Sequence, residues 1–349
     1  MTQNDISLLE ALCAAPGLPG REAALKELIA QNAPKSSEAV YSAKGDILLH
    51  LPGTGKRLLF LAHLDEVGLI VRRIHPAGFL LVERLGGVAV HCLPGHKLDL
   101  WTKAGRLDAR CGAKASHLMN GRKEFFGLEE LYVEIGASSA EEAKKMGVRV
   151  GDGLTWPVNF CRVGENLVSS KALDDRLGCF ALLSLAQKLS QNPQPYDLYF
   201  GFTTQEEANM LEAMPLVEMA RPDLIIGVDG ALSFDTPDEM EPYCDIALGK
   251  GPCLKYYETV RGKNSFSPDW ETTNRIAQFL ESNGLPFQAE VVSGMLTAVC
   301  MLQNLRGGTP TLAFSIPIRY HHSPVETTDL RDTEKLIQIL TKLISKELL

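Results

Sequence analysis

The sequence predicts an α/β protein: a mostly parallel sheet flanked by helices, with an inserted small β-rich domain. Three observations point there. Apolar runs alternate with helical stretches through residues 163–349, the pattern of strand–helix–strand units. Residues 72–162 instead show short alternating segments split by Gly and Asp, the texture of a small β domain. With 349 residues, the chain is long enough for two domains or for one large domain carrying an insert.

The elements follow in order. Two helices, over 5–14 and 20–32, flank the turn Pro16-Gly17-Leu18-Pro19-Gly20, and a strand pair ends in the buried run 57–62. The insert holds the alternating segments 97–102, 131–135 and 154–161, and one short helix opening at Ser138 or Ser139 with Glu141 and Glu142 three residues on, a capping-box signature. The third zone brings a buried helix over 174–190 and the runs 197–204, 224–228, 287–292 and 311–318. Between them lie helices over 269–283 and 295–305. A last helix over 330–348 places Leu336, Leu340, Leu343 and Ile344 on one stripe. Residues 1–71 and 163–349 are thus expected to form the main α/β domain, and 72–162 the insert.

Composition narrows the function. Hydrophobic residues make up 45% and charged residues 22%, ordinary values for a globular chain. A net charge of −8 without a Lys/Arg cluster argues against nucleic acid. The start lacks a basic region followed by an apolar one, so no secretory signal is expected. No uncharged apolar run reaches the ~18 residues of a membrane span. Eight scattered cysteines without a CxxC pair fit reduced thiols in a cytoplasmic protein.

Function in open α/β sheets collects beyond the carboxyl ends of strands. His63-Leu64-Asp65-Glu66 follows one apolar run, Gln205-Glu206-Glu207 another, Asp229 a third and Arg319-Tyr320-His321-His322 a fourth, while Asp174-Asp175 opens the buried helix. Each has a plain alternative: a surface loop, a solvated helix start, an N-cap, a turn residue. Their joint placement on one edge favours a site. Imidazole and carboxylate without thiolate suit zinc, cobalt or manganese. Two histidines with three carboxylates exceed one tetrahedral ion and suit two ions bridged by a carboxylate and a water. Asp65, two residues from His63 on an extended chain, can orient that imidazole. Of the adjacent glutamates, one can bind metal while the other serves as general base. His75, His91, His96 and His117 receive no role.

The blocks Ala62-His63-Leu64-Asp65-Glu66-Val67-Gly68, Lys171-Ala172-Leu173-Asp174-Asp175-Arg176-Leu177-Gly178, Thr204-Gln205-Glu206-Glu207 and Arg319-Tyr320-His321-His322-Ser323-Pro324-Val325-Glu326 resemble the cytosolic dinuclear metallo-aminopeptidases of metallopeptidase family 42. That family includes the glutamyl and deblocking (tetrahedral) aminopeptidases. The resemblance spans nearly the whole chain, Gly249-Lys250-Gly251-Pro252 and the insert included. It implies two divalent ions per subunit, zinc or cobalt, with His63 and His322 as terminal ligands and Asp174 as the bridge. Glu207 and Asp229 complete the shells, Glu206 is the base and Asp65 supports His63. His322 is preferred to His321 because the family pattern Arg-Tyr-x-His-Ser puts the ligand before Ser323. Asp229 is preferred to Asp235 because it directly follows the strand. The resemblance further implies peptide substrates and an insert that assembles subunits, from dimer up to dodecamer.

Two stretches depart from the family. Ala208-Asn209-Met210-Leu211-Glu212-Ala213 stands where members carry Val-Gly-x-x-Gly-Ala, and Ser293-Gly294-Met295-Leu296 where many carry Gly-Gly-Thr-Asp. Neither removes a candidate ligand, but both bear on specificity. Two other readings therefore stay open: a two-metal deacylase or dipeptidase-like amidohydrolase acting on a small N-acyl or dipeptide compound, and a non-catalytic assembly protein.

Overall fold

A computed structural model describes residues 1–118, 127–209, 211–237, 243–260 and 264–349. Helix α1 (Gln3–Ala14) starts at a reciprocal cap, in which the Thr2 hydroxyl accepts from Asp5 N–H and the Asp5 carboxylate reaches back to Thr2 N–H. Helix α2 (Ala23–Asn32) begins three residues later than the sequence suggests. Gly20 is left-handed at φ 79°, and the Glu22 carboxylate instead accepts from the N–H groups of Gly20 and Gln205.

Strands β1 (Glu38–Tyr41), β2 (Ile47–Leu51) and β3 (Arg57–His63) lead into a closed six-stranded barrel. It consists of β4 (Gly68–Ile74), β5 (Leu80–Leu85), β6 (Lys97–Thr102), β7 (Gly105–Cys111), β8 (Val133–Glu134) and β9 (Gly153–Thr155). The alternating residues Leu69, Val71, Leu80, Val82, Leu98 and Leu100 fill its interior, as period-two side chains of a small barrel should. The short helix α3 (Ala140–Lys145) is capped by Ser139, whose hydroxyl accepts from Glu142 N–H. The barrel's first strand already begins at Gly68, upstream of residue 72.

The chain then returns through β10 (Cys161–Val163) and β11 (Leu167–Ser170) to helix α4 (Leu173–Leu189), strand β12 (Asp197–Thr203), helix α5 (Met214–Ala220) and strand β13 (Leu224–Leu232). Next come β14 (Cys253–Thr259), β15 (Ser265–Phe266), α6 (Trp270–Ser282), β16 (Gln288–Ser293) and α7 (Val299–Leu302). Strand β17 (Thr311–Ile318), strand β18 (Glu326–Asp329) and helix α8 (Leu330–Ser345) close the chain.

The main sheet runs β1-β2-β12-β3-β13-β17-β14, with β15 and β16 both pairing with β14. Its centre, β12, β3, β13 and β17, is parallel. Helices cover both faces, so these strands are apolar almost throughout. One face carries α1, α2, α4, α6 and α8 in a single large core; α5 and α7 cover the other. Helix α4 crosses the middle of the first face and is buried nearly end to end, which explains its lack of a polar side.

Strand β13 does not stop before Asp229: it pairs with β17 as far as Leu232↔Ile318, so Asp229 lies inside it. Its pairing with β3, by contrast, ends at Gly227↔Leu61. The two neighbours therefore part just before His63 and Asp229, and a cleft opens between them. The helix expected over 295–305 also proves shorter, reduced to α7 and a 3-10 turn at Leu305–Gly307. Its first residues are held as a loop because Thr297 gives both its N–H and its hydroxyl to the buried Glu258 carboxylate. Gly294, at φ 106°, turns the chain before it. No helix among the described residues is long and apolar enough to cross a membrane.

Candidate metal centre

The cleft at the carboxyl edge of the sheet gathers side chains from six stretches of chain. His63 ends β3 and is buried. Asp174 sits in the first turn of α4, where it and Asp175 leave helical geometry across a cis peptide. Its carboxylate lies between imidazoles: Oδ1 is 3.3 Å from His63 Nε2, and Oδ2 is 3.2 Å from His322 Nε2. Asp229 Oδ1 stands 3.9 Å from His63 Nε2, and Glu207 Oε1 3.1 Å from His322 Nε2. The structure thus brings His63, Asp174, Glu207, Asp229 and His322 together, with Asp174 shared between two groups.

Local geometry explains each placement. After β12, Gln205 takes a left-handed φ of 67° and starts a single 3-10 turn, Glu206–Ala208. Asp65 clamps that turn, its Oδ1 accepting from Glu206 N–H at 2.9 Å and its Oδ2 from Glu207 N–H at 3.0 Å. The same Oδ1 is 3.7 Å from His63 Nδ1, so Asp65 orders the paired glutamates more tightly than it does the imidazole. At the far end of β17, Tyr320 and His322 are both left-handed, at φ 59° and 60°. Glu326 fixes this loop to α4 by accepting from His322 N–H at 2.7 Å and from Asp174 N–H at 3.0 Å. His322 Nδ1 faces the Gly87 carbonyl oxygen at 3.0 Å. A carbonyl only accepts, so Nδ1 carries a proton, and Nε2 is the nitrogen turned toward the cleft. Glu206 is buried and lines the same cavity, about 370 Å³ in volume, whose outer wall includes Leu232, Met295 and Leu296.

Asp235 is elsewhere engaged. Its carboxylate takes two bonds from Arg319, at 2.7 and 2.6 Å, with further donors in Ser233 and Leu248 N–H. Sequence reasoning set His321 aside and passed over Gly87, Glu326 and Lys255. His321 Nε2 lies 3.3 Å from Asp174 Oδ2. Gly87 and Glu326 both hold His322 in place. Beneath the cleft, Lys255 is buried on β14 with Nζ 2.6 Å from Glu258 and 3.3 Å from Glu290. The available signal for this last group was charge inside otherwise apolar strands.

The electrostatics are set by burial and by the crowding of carboxylates and imidazoles. Burial works against charge throughout. It lifts Glu206 and Asp229 well above the carboxylate range, with repulsion from Asp229 and Asp174 respectively adding to it. His322 is pushed up to about 12, since Glu207 and Asp174 outweigh its desolvation, while burial brings His321 down to about 4. Asp174 is held well below the ordinary value, the surrounding imidazoles overcoming its burial. Metal binding at such a cluster is coupled to proton release. Asp174 Oδ1, His63 Nδ1 and His321 Nε2 are buried without a hydrogen-bond partner. Three sets of ligand atoms lie within 4.8 Å of one another: Asp174-His321-His322, His63-Asp174-Glu207 and His63-Asp175-Asp229. The residues fit a metal centre.

An α/β sheet with an inserted barrel and an imidazole–carboxylate cluster at its carboxyl edge defines a metallopeptidase-type hydrolase. The family model for M42 glutamyl aminopeptidases matches residues 45–339, and the chain belongs to that family. It is a hydrolase of peptide bonds, of the aminopeptidase class. SgcX of Escherichia coli (strain K12) is 36% identical over 296 residues, covering 82% of this chain and 78% of its own. Among solved structures, aminopeptidase APDkam598 from the archaeon Desulfurococcus kamchatkensis superimposes with a TM-score of 0.91 at 28% identity, covering 98% of this chain and 94% of its own. The Pyrococcus horikoshii TET1 peptidase, which assembles into a tetrahedron or a large octahedral shell, gives a TM-score of 0.86 at 29% identity over 97% of this chain and 99% of its own.

Proposed function

We propose that the chain is a metal-dependent aminopeptidase that removes N-terminal residues from peptides, with two divalent ions, zinc or cobalt, held in the cleft. The carrying observation is Asp174, whose two oxygens face His63 and His322 from opposite ends. His63 and Asp229 would complete an inner position, His322 and Glu207 an outer one. When bound, such a pair lowers the pKa of water and polarises a carbonyl. Glu206 takes the proton of the attacking water on its carboxylate and delivers it to the leaving amine nitrogen. A buried carboxyl with a raised pKa is suited to both halves of that transfer. Asp65 positions it through the backbone.

The test is Glu206→Gln. Turnover of aminoacyl-anilides should fall by about 10²–10⁴ while the metal content per chain stays at the wild-type value; unchanged turnover removes Glu206 from the reaction. The Met295–Leu296 wall bears on substrate choice, since it lines the cavity where the sequence departs from its family. It favours neutral, apolar terminal residues, and the same panel should include N-acyl amino acids. Activity on those alone would point to the deacylase reading, and activity on neither to the assembly reading.

We further propose that residues 1–71 and 163–349 act as the catalytic unit and that the insert, 72–162, mediates self-assembly. The TET1 likeness supports this, and light scattering of the purified protein tests it. Eight cysteines, all free, support a cytoplasmic setting.

A further inference from the structure

We propose that His321 is a third imidazole ligand of this centre, binding the outer ion beside His322. The inference rests on the two-ion reading and adds to it a residue that the Arg-Tyr-x-His-Ser pattern leaves open.

Neighbouring residues on an extended chain point apart, yet these two rings lie together, with centroids 4.6 Å apart. The left-handed residues Tyr320 and His322 bring both to the same side. Their Nε2 atoms reach the same oxygen, Asp174 Oδ2, at 3.3 and 3.2 Å. His322 meets it with hydrogen-bond geometry; His321 does not, and its Nε2 is buried without a partner. A nitrogen this close to a carboxylate oxygen, yet not aligned with it for a hydrogen bond, can share an ion with it. The ligand atoms of Asp174, His321 and His322 lie within 4.8 Å of one another. Bonds of roughly 2.0–2.2 Å to one ion put donor atoms up to about 4 Å apart, so a small adjustment closes the set. The opposing wall is cut to fit. A Cβ on Gly230 would stand 2.7 Å from His321 Nε2, and the glycine there lets the ring reach Asp174.

The two positions then differ in kind. The inner one has one nitrogen, from His63, with oxygens of Asp174 and Asp229. The outer one has two nitrogens, from His321 and His322, with oxygens of Asp174 and Glu207. Four protein donors still leave zinc room to expand to five-coordinate. The extra imidazole should bias the outer position toward zinc, cobalt or nickel over manganese.

Titrating the metal-stripped protein with Zn²⁺ in a calorimeter, and recording the visible absorption of the Co²⁺-loaded form, tests this. The full-length wild type should take up two ions. His321→Ala should keep the inner ion and lose affinity for the outer one by at least about 10-fold, with a changed Co²⁺ band shape. His321→Gln, which keeps the bulk of the side chain, should behave alike and guards against a folding defect in the alanine variant. Two-ion binding with wild-type affinities and an unchanged Co²⁺ spectrum in both variants overturns the proposal and leaves the two-ion reading standing. A wild type that takes up fewer than two ions overturns both.

Discussion

The inner and outer halves of the cleft are built differently. In the inner half, His63 ends a buried strand with its side chain 3% exposed, and Asp229 is gripped within β13 by its pairing with β17. In the outer half, the His322 side chain is 25% exposed on a left-handed loop, and Glu207 stands on one 3-10 turn. The outer half also depends on other loops: the Gly87 carbonyl, from the stretch after barrel strand β5, holds the His322 ring. The sheet thus preorganises one position, while loop contacts assemble the other. A strand end cannot shift without breaking its ladder, whereas a loop can shift at little cost. Damage to loops should reach the outer position alone.

The shared carboxylate is the point at which the two halves cannot be separated. Asp174→Asn should therefore have the largest effect: metal content, read by elemental analysis, falls for both positions and turnover goes with it. Retention of one ion per chain would mean that Asp174 serves a single half. The next comparison pits the halves against each other. His322→Ala should leave the inner ion bound and lower the metal content by one per chain. His63→Ala strips a buried strand end and should lose the inner ion while lowering the thermal midpoint of the metal-free protein. Equal losses in the two variants would erase the distinction. A subtler perturbation acts on the loop contact alone. A Cβ on Gly87 would fall 2.6 Å from His322 Nδ1, so Gly87→Ala must displace the ring. Outer-site affinity should drop by roughly 10–100-fold, the usual effect of losing the hydrogen bond that orients a ligand, with the inner affinity unchanged in the same calorimetric titration.

Much of this architecture was legible in the sequence, because burial writes itself into apolar runs. The central strands β3, β12 and β17 and the helices α4, α6 and α8 match the expected segments closely, since each is covered by a core that leaves no ambiguity of period. His63, Glu206, Glu207 and His322 were legible because each stands just past the end of such a run. Whatever depends on partners distant in sequence could not be read. Asp229 was expected after its strand but lies within it, because β17 extends the ladder beyond the point where β3 leaves. The helix expected over 295–305 lost its first residues to Glu258, a buried acceptor that binds Thr297 across 39 residues of sequence. Strand β14 was passed over because Lys255 and Glu258 disguise it; their charges are matched only in the folded core. His321 was set aside for its neighbour, although both rings enter the cleft.

Asp235 offers the smallest expected effect and the cleanest control. It was the competitor to Asp229 as a ligand, yet its carboxylate is taken up by Arg319 through a two-pronged contact outside the metal cluster. Burial opposes its charge, but the Arg319 and Ser233 bonds prevail and hold the carboxyl at about 2. A folded value below the ordinary carboxylate range of about 3.9 means that the contact stabilises the fold fully above that range, and that the contribution disappears as pH falls toward 2. Because the pair is only half-buried, solvent screening keeps its worth to under about 1 kcal/mol. Asp235→Asn should then lower the thermal midpoint slightly at neutral pH, lose that difference in acid, and leave both ions bound. A variant short of one ion would transfer the ligand role from Asp229 to Asp235 and dissolve the contrast between a sheet-held and a loop-held position.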